Sequence, residues 1–185
     1  MTELLTAAGE YERKPHRETN RSTSAWNRNL QKHCLVQFLD PVEDTTRFSS
    51  DAWPLHSTIA GVFAFDRQTH GEDFYETIAE QDALTTYTTK RGHFGPNEDV
   101  PVMLIERTPE LARLHQNIVD FVLSRQGIFK PPHYIGENYC PHITIPDNNV
   151  QPDVPIVFDA LSLVDMSPNG DATMRQVLAT IVLRE

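Results

Sequence analysis

The chain has 185 residues, which is enough for one domain with a substantial core and too few for several independent domains. Its hydrophobic fraction of 39% is spread in short runs, and no apolar stretch approaches the roughly 18 residues that span a bilayer, so we expect no membrane insertion. The formal net charge of −10 opposes binding to long nucleic acids, because counterion release requires a basic protein surface.

The first 29 residues are mostly polar and predict a tail or a loosely docked segment ahead of a functional domain at residues 30–185. They lack the basic start, apolar middle and small-residue cleavage site of a secretory signal. The two cysteines, Cys34 and Cys140, lie in strand-like patterns, which favours a reducing compartment over a disulfide framework. We therefore expect a cytoplasmic protein, and a monomer.

Hydrophobic periodicity predicts seven strands and two helices along the chain. The strands are expected at 34–39, 55–65, 84–89, 101–106, 142–145, 156–164 and 175–183, and the helices at 71–81 and from the Thr108 cap to Gly127. Glycine at 127 suits the left-handed residue that ends a helix, and residues 91–99 and 130–139 are expected to be loops. This order predicts an α+β fold of mostly antiparallel sheets with flanking helices. Each half carries one histidine motif and one helix, so we expect two pseudo-symmetric lobes around a central cleft.

Two of the eight histidines, His56 and His142, are followed two residues later by a hydroxyl residue, Thr58 and Thr144. Each histidine follows a proline closely and opens an apolar strand. On a strand, residues i and i+2 point to the same face about 6.5 Å apart, close enough to hold one phosphate group. The matched pair therefore predicts a phosphate site built from two strands.

Histidine titrates nearest to neutral pH, so two imidazoles can serve as one base and one acid at the same pH. One would take a proton from an attacking water, and the other would protonate the departing ribose oxygen. Thr58 and Thr144 would donate hydrogen bonds to the non-bridging phosphate oxygens. This scheme needs neither a metal nor a cofactor.

Two alternative interpretations of the same residues remain open. Each histidine can be a structural residue and each threonine an ordinary strand former. A metal site would need a third ligand beside His56 and His142, such as His33, His93 or His133, but no ligand spacing of a known type is present. We therefore expect no metal.

The segments Pro54-Leu55-His56-Ser57-Thr58-Ile59 and Cys140-Pro141-His142-Ile143-Thr144-Ile145-Pro146 resemble the two-histidine phosphoesterase superfamily. The resemblance extends from about residue 32 to the C-terminus and is nearest to the 2'-5' RNA ligase-like and cyclic nucleotide phosphodiesterase members. It implies a bilobed fold, His56 and His142 as acid and base, and Thr58 and Thr144 as phosphate ligands. Many members carry an arginine two residues after the second threonine, where this chain has Pro146.

The resemblance further implies a hydrolase that opens a 2',3'-cyclic phosphate or cleaves a 2'-5' linkage of a nucleotide or RNA end, as in RNA processing. The alternatives are a 3' RNA exonuclease or a cyclic ADP-ribose phosphate esterase of the same fold, or a non-catalytic protein that binds nucleotide or phosphate. Four loop residues are candidate substrate contacts: the aromatic Tyr134, Tyr139 and Phe94 for stacking, and Arg91 for charge.

Overall fold

A computed structural model describes residues 30–145 and 150–185 of the chain, in which ten strands and two helices are found. The strands are β1 (Lys32–Phe38), β2 (Arg47–Ser49), β3 (His56–Ala64), β4 (Leu84–Phe94), β5 (Val100–Ile105), β6 (Ile128–Phe129), β7 (His142–Thr144), β8 (Pro155–Phe158), β9 (Ala160–Asp165) and β10 (Met174–Val182). The helices are α1 (Arg67–Ala79) and α2 (Pro109–Ser124). The predicted N-terminal tail and Pro146 lie outside the described residues.

Both helices begin at side-chain caps. The Asp66 carboxylate accepts hydrogen bonds from the backbone N–H groups of Gln68 and Thr69, so α1 starts earlier than its apolar spacing predicts. The Thr108 hydroxyl caps α2, as predicted. At the end of α2 the left-handed residue is Gln126, with φ of 60°, and not Gly127. Glycine is needed at 127 for a different reason, because a Cβ there would lie 2.6 Å from the Val122 carbonyl oxygen.

Nine strands follow one another in the order β2-β10-β9-β1-β3-β7-β5-β4-β8, and β6 pairs with β3. The strand pairs are all antiparallel, and the described residues add one isolated parallel bridge between Asp82 and Arg184. The α+β, mostly antiparallel prediction is therefore confirmed. The motif strands β3 and β7 are neighbours in the middle of this order. The two halves of the fold meet where β3 pairs with β7.

The strand boundaries differ from the predicted ones in three places. The segment expected to be one strand at 156–164 is two, β8 and β9, which separate at Asp159 and join opposite halves of the sheet order. Strand β4 continues through Phe94, so the first four residues of the expected 91–99 loop are strand. The short strands β2 and β6 carry too few residues for a periodic signal.

The two faces of the sheet carry separate hydrophobic clusters. The larger cluster contains buried side chains of both helices and the inward residues of the central strands, including Ile59, Met103 and Ile143. His33 is also fully buried, with its ring 5.9 Å and 5.5 Å from the rings of Phe63 and Phe65. A smaller cluster is formed by Cys34, Val36, Phe38, Val164 and Val177, with Val42, Phe48, Trp53 and Met166 packed against it.

Candidate active site

The register of the motif strands brings all four predicted residues to one face of the sheet. Ser57 of β3 is paired with Ile143 of β7, and both side chains are fully buried. In an antiparallel pair, the residues one step away lie opposite each other, so His56 faces Thr144 and Thr58 faces His142. These four side chains point away from the face that carries the larger hydrophobic cluster, and the two histidines are diagonal neighbours about 7–8 Å apart.

The two imidazoles make the same backbone contact. His56 Nδ1 lies 2.8 Å from the carbonyl oxygen of Pro54, and His142 Nδ1 lies 2.8 Å from that of Cys140. A carbonyl oxygen only accepts hydrogen bonds, so Nδ1 carries the proton in both neutral rings. Nε2 is then the atom that exchanges a proton at each histidine. The predicted acid and base therefore have matched orientations.

Burial is the main influence on both imidazoles. It lowers the pKa of His56, against the opposing effect of the Pro54 hydrogen bond, and the charge of His142 lowers it further. Burial likewise lowers the pKa of His142, against its bond to the Cys140 carbonyl. The effect of the His142 charge on His56 disfavours protonation of both rings at once. One neutral and one charged imidazole is the state an acid–base pair needs.

Aromatic side chains flank each histidine. The Trp53 ring lies 4.6 Å from the His56 ring at 33°, and the Phe38 ring lies 6.0 Å from it at 68°. The Phe94 ring lies 4.7 Å from His142 in an edge-on arrangement. The sequence predicted Phe94 near the site but missed Trp53 and Phe38. The position of Trp53 three residues before His56 was an available signal, whereas that of Phe38 depends on strand pairing.

The two threonines differ in their surroundings. Thr144 is exposed, whereas Thr58 is half-buried beside the Cys34 thiol. Burial raises the pKa of Cys34 to about 12, and its hydrogen bond with the Thr58 side chain acts in the opposite direction. Cys34 also donates to the Ala60 carbonyl oxygen at 3.4 Å. Cys34 thus stays protonated, and its hydrogen bond with the Thr58 side chain helps to fix the position of that hydroxyl.

Tyr139 supports the motif strand from within the core. It is 7% exposed, and its hydroxyl donates to the Thr58 carbonyl oxygen at 3.1 Å. Its ring stacks on His115, with 3.9 Å between centroids and 3° between planes. His115 Nδ1 bonds the Ile59 carbonyl at 2.7 Å, and its Nε2 accepts from the Gly136 N–H at 3.0 Å. Tyr139 and His115 therefore tie β3 to the segment before β7, a position that leaves little surface for the predicted substrate contact.

The other two predicted contacts lie in different settings. Arg91 is opposite Met103, which is fully buried, so strand alternation directs Arg91 to the face opposite the motif residues. We therefore do not include Arg91 in the proposed site. Tyr134 is 64% exposed in a short 3-10 helix, Pro132–Tyr134, and its contact with substrate stays a prediction.

A groove of about 560 Å³ lies beside the His56 end of the motif strands. One wall is formed by residues that follow β1, including Leu39 and Val42, and the other by Val154 and Val157 around β8. Phe38 lines this groove and also contacts His56, whereas none of the four motif residues lines it. Its volume is within the range of small-molecule sites.

Neither a cluster of metal ligands nor a membrane-spanning helix is found in the part of the chain that the structure describes. No group of three or more histidine, cysteine or acidic side chains there is arranged to hold a metal ion. No helix in residues 30–145 or 150–185 combines the length and apolar character needed to cross a membrane.

Solved structures with the same fold include a phosphoesterase and LigT. The chain matches a structure described as a phosphoesterase with a TM-score of 0.55 and 14% identity, over 85% of this chain and 100% of the other. It matches Escherichia coli LigT complexed with NADP+ with a TM-score of 0.54 and 14% identity, over 84% and 99% of the two chains. It matches TT0787 of Thermus thermophilus with a TM-score of 0.53 and 17% identity, over 83% and 98%.

No protein-family model matches the chain, and no curated protein matches it significantly. The likeness to the solved structures nevertheless shows that the described residues have a LigT-like fold. The similarity covers nearly the full length of each matched structure.

Proposed function

We propose that the chain is a phosphodiesterase that hydrolyses a 2',3'-cyclic phosphate or a 2'-5' linkage of a nucleotide or RNA end. The observation that carries this proposal is the matched pair of imidazoles, His56 and His142, on one face of adjacent strands. Each ring bonds a carbonyl through Nδ1 and keeps Nε2 for proton exchange. Two such rings on diagonal positions can act on opposite sides of one phosphorus atom.

The reaction proceeds by one proton transfer to the protein and one from it. Neutral Nε2 of one imidazole takes a proton from water while the water oxygen bonds to phosphorus. The imidazolium of the other histidine gives its Nε2 proton to the departing ribose oxygen as the P–O bond breaks. The Thr58 and Thr144 hydroxyls donate to the non-bridging oxygens as negative charge builds there. Proton exchange with solvent then restores the starting pair.

Nucleotides are the proposed substrate class. LigT structures of the same fold have been solved with 3'-AMP and with ATP. The groove beside His56 has room for the nucleoside part of such a substrate, and its Val154 and Val157 wall offers apolar surface to a base. The net charge of −10 favours a small substrate or a chain end over a long nucleic acid.

Hydrolysis of a 2',3'-cyclic nucleotide by the full-length chain, with EDTA present, tests the proposal. We expect His56→Ala and His142→Ala each to lower kcat by about 10²–10⁴-fold. His70→Ala on α1 is the matched control and should keep wild-type turnover. Full activity in either motif variant would disprove the assignment.

A substrate panel separates the alternatives that share this fold. An RNA with a free 3' end reports exonuclease trimming, and a cyclic ADP-ribose phosphate reports the other esterase activity. Calorimetric binding of a nucleotide with no product after long incubation would instead identify a non-catalytic binding protein.

A further inference from the structure

Trp53 and Arg175 form a stack beside His56. The Trp53 ring lies 4.6 Å from the His56 imidazole, and the Arg175 guanidinium carbon lies over the same indole, 5.9 Å from its centroid. Phe48 adds an edge contact to Trp53 at 5.1 Å. The indole is therefore held between a cation and an aromatic ring while it contacts the imidazole.

Arg175 is anchored firmly by backbone groups. Its Nη1 lies 2.7, 2.9 and 2.7 Å from the carbonyl oxygens of Met166, Ala172 and Met174, so its two hydrogens are shared among three acceptors. Arg175 is in β10, which β9 and β1 separate from β3. Three strand spacings amount to about 14 Å between the strands, and Trp53 is in contact with both the guanidinium and the His56 ring.

Packing alone does not explain an arginine at this position. Arg175 is half-buried beside the smaller hydrophobic cluster, and it is paired with Phe48 across the β10–β2 ladder. Its Nε is buried and has no hydrogen-bond partner. A buried donor without a partner destabilises the fold, whereas the Nη1 contacts with three backbone carbonyls stabilise it. Backbone groups thus hold the guanidinium in place, and its position over the indole links it to the contact between Trp53 and His56.

We propose that Arg175 and Trp53 are positioning residues that hold the His56 imidazole in its active orientation. The anchored guanidinium fixes the indole, and the indole and Phe38 confine the imidazole from two directions. In this orientation Nδ1 bonds the Pro54 carbonyl and Nε2 is left for proton exchange. A rotated ring would lose that bond and move Nε2 away from the phosphate.

The catalytic consequence rests on the proposed phosphodiesterase function, whereas the ring orientation is a property of the folded chain. Both can therefore be measured separately. Long-range ¹H–¹⁵N NMR of the imidazoles reports which nitrogen carries the proton, and steady-state kinetics with a 2',3'-cyclic nucleotide reports kcat and KM.

Arg175→Met removes the charge and the three carbonyl bonds, and Trp53→Leu removes the aromatic surface. In both variants we expect His56 to change from the Nδ1–H tautomer to a mixture. We expect kcat to fall by about ten- to a hundredfold, with KM within about twofold of wild type. The double variant should be no more than about twofold worse than the worse single variant, because both act through one contact.

Arg47→Met on β2 is the matched control, since Arg47 is an exposed arginine on the strand that pairs with β10. It should change neither readout. Arg175→Lys keeps the charge and should retain more of the Nδ1–H tautomer than Arg175→Met does. It also serves as the test variant if the methionine variant does not fold.

A pure Nδ1–H tautomer of His56 and wild-type kcat in Arg175→Met and Trp53→Leu would overturn the proposal. A chain with no diesterase activity would refute the proposed function alone, because the tautomer measurement still decides the positioning role.

Discussion

Tyr139→Phe distinguishes a supporting role of Tyr139 from a role in substrate binding. The substitution removes the hydroxyl that donates to the Thr58 carbonyl oxygen and keeps the ring that stacks on His115. The carbonyl is left inside the protein, where no water readily replaces the donor. One such hydrogen bond contributes about 0.5–1.5 kcal/mol to stability.

Urea denaturation should therefore show the free energy of unfolding reduced by about 1 kcal/mol with an unchanged m-value. KM for a 2',3'-cyclic nucleotide should stay within about twofold of wild type, because the hydroxyl does not contact the substrate. Tyr134→Phe is a suitable comparison, since Tyr134 is 64% exposed and should leave stability unchanged. A tenfold rise in KM with unchanged stability of Tyr139→Phe would show that this tyrosine contacts substrate.

Three further predictions concern pH and the groove. Burial lowers the pKa of both His56 and His142, so kcat/KM should peak below about pH 6.5 and decline as rising pH removes the imidazolium; a peak at pH 8 would contradict this. Burial lowers the pKa of His33 from 6.5 to about 4, so the unfolded chain binds a proton below pH 6.5 that the folded chain does not accept until about pH 4. The free energy of unfolding should therefore fall by about 3 kcal/mol as the pH is lowered from 6.5 to about 4. Urea titrations of His33→Leu should show a smaller fall. Val157→Trp fills the groove and should raise KM several-fold without changing stability, whereas Leu123→Trp, at an exposed position on α2, should leave KM unchanged.

The central strands were predictable because their sequence pattern matches their burial. In β3 and β7 the buried residues Ser57, Ile59 and Ile143 alternate with the motif residues, so the face of each histidine follows from strand geometry. The pairing of β3 with β7 could not be read in the same way. It depends on which strands meet across the sheet, and one residue of slip between β3 and β7 would put the two histidines on opposite faces.

Residues outside the motifs were less predictable, because their placement depends on contacts distant in sequence. Arg91 was expected in a loop near the site, but β4 continues past it, and pairing with β5 directs it to the other face. Asp159 is the single residue between β8 and β9, and no composition change marks a point where the chain crosses between halves of the sheet. Arg175 reaches the site only through tertiary contacts.

The shared orientation of the two imidazoles depends on backbone carbonyl groups. A motif that names only side chains therefore does not specify it. The acceptor for each Nδ1 is the carbonyl two residues before the histidine, supplied by Pro54 in one case and Cys140 in the other. Any residue type offers that carbonyl, so the conformation of the entry to the strand determines where it lies. Proline restricts this entry at 54 and at 141, either as the acceptor itself or as the residue after it. In the proposed reaction the prolines beside the two motifs therefore contribute to proton transfer by setting the position of a carbonyl, and the histidine–threonine spacing alone does not specify the acid–base pair.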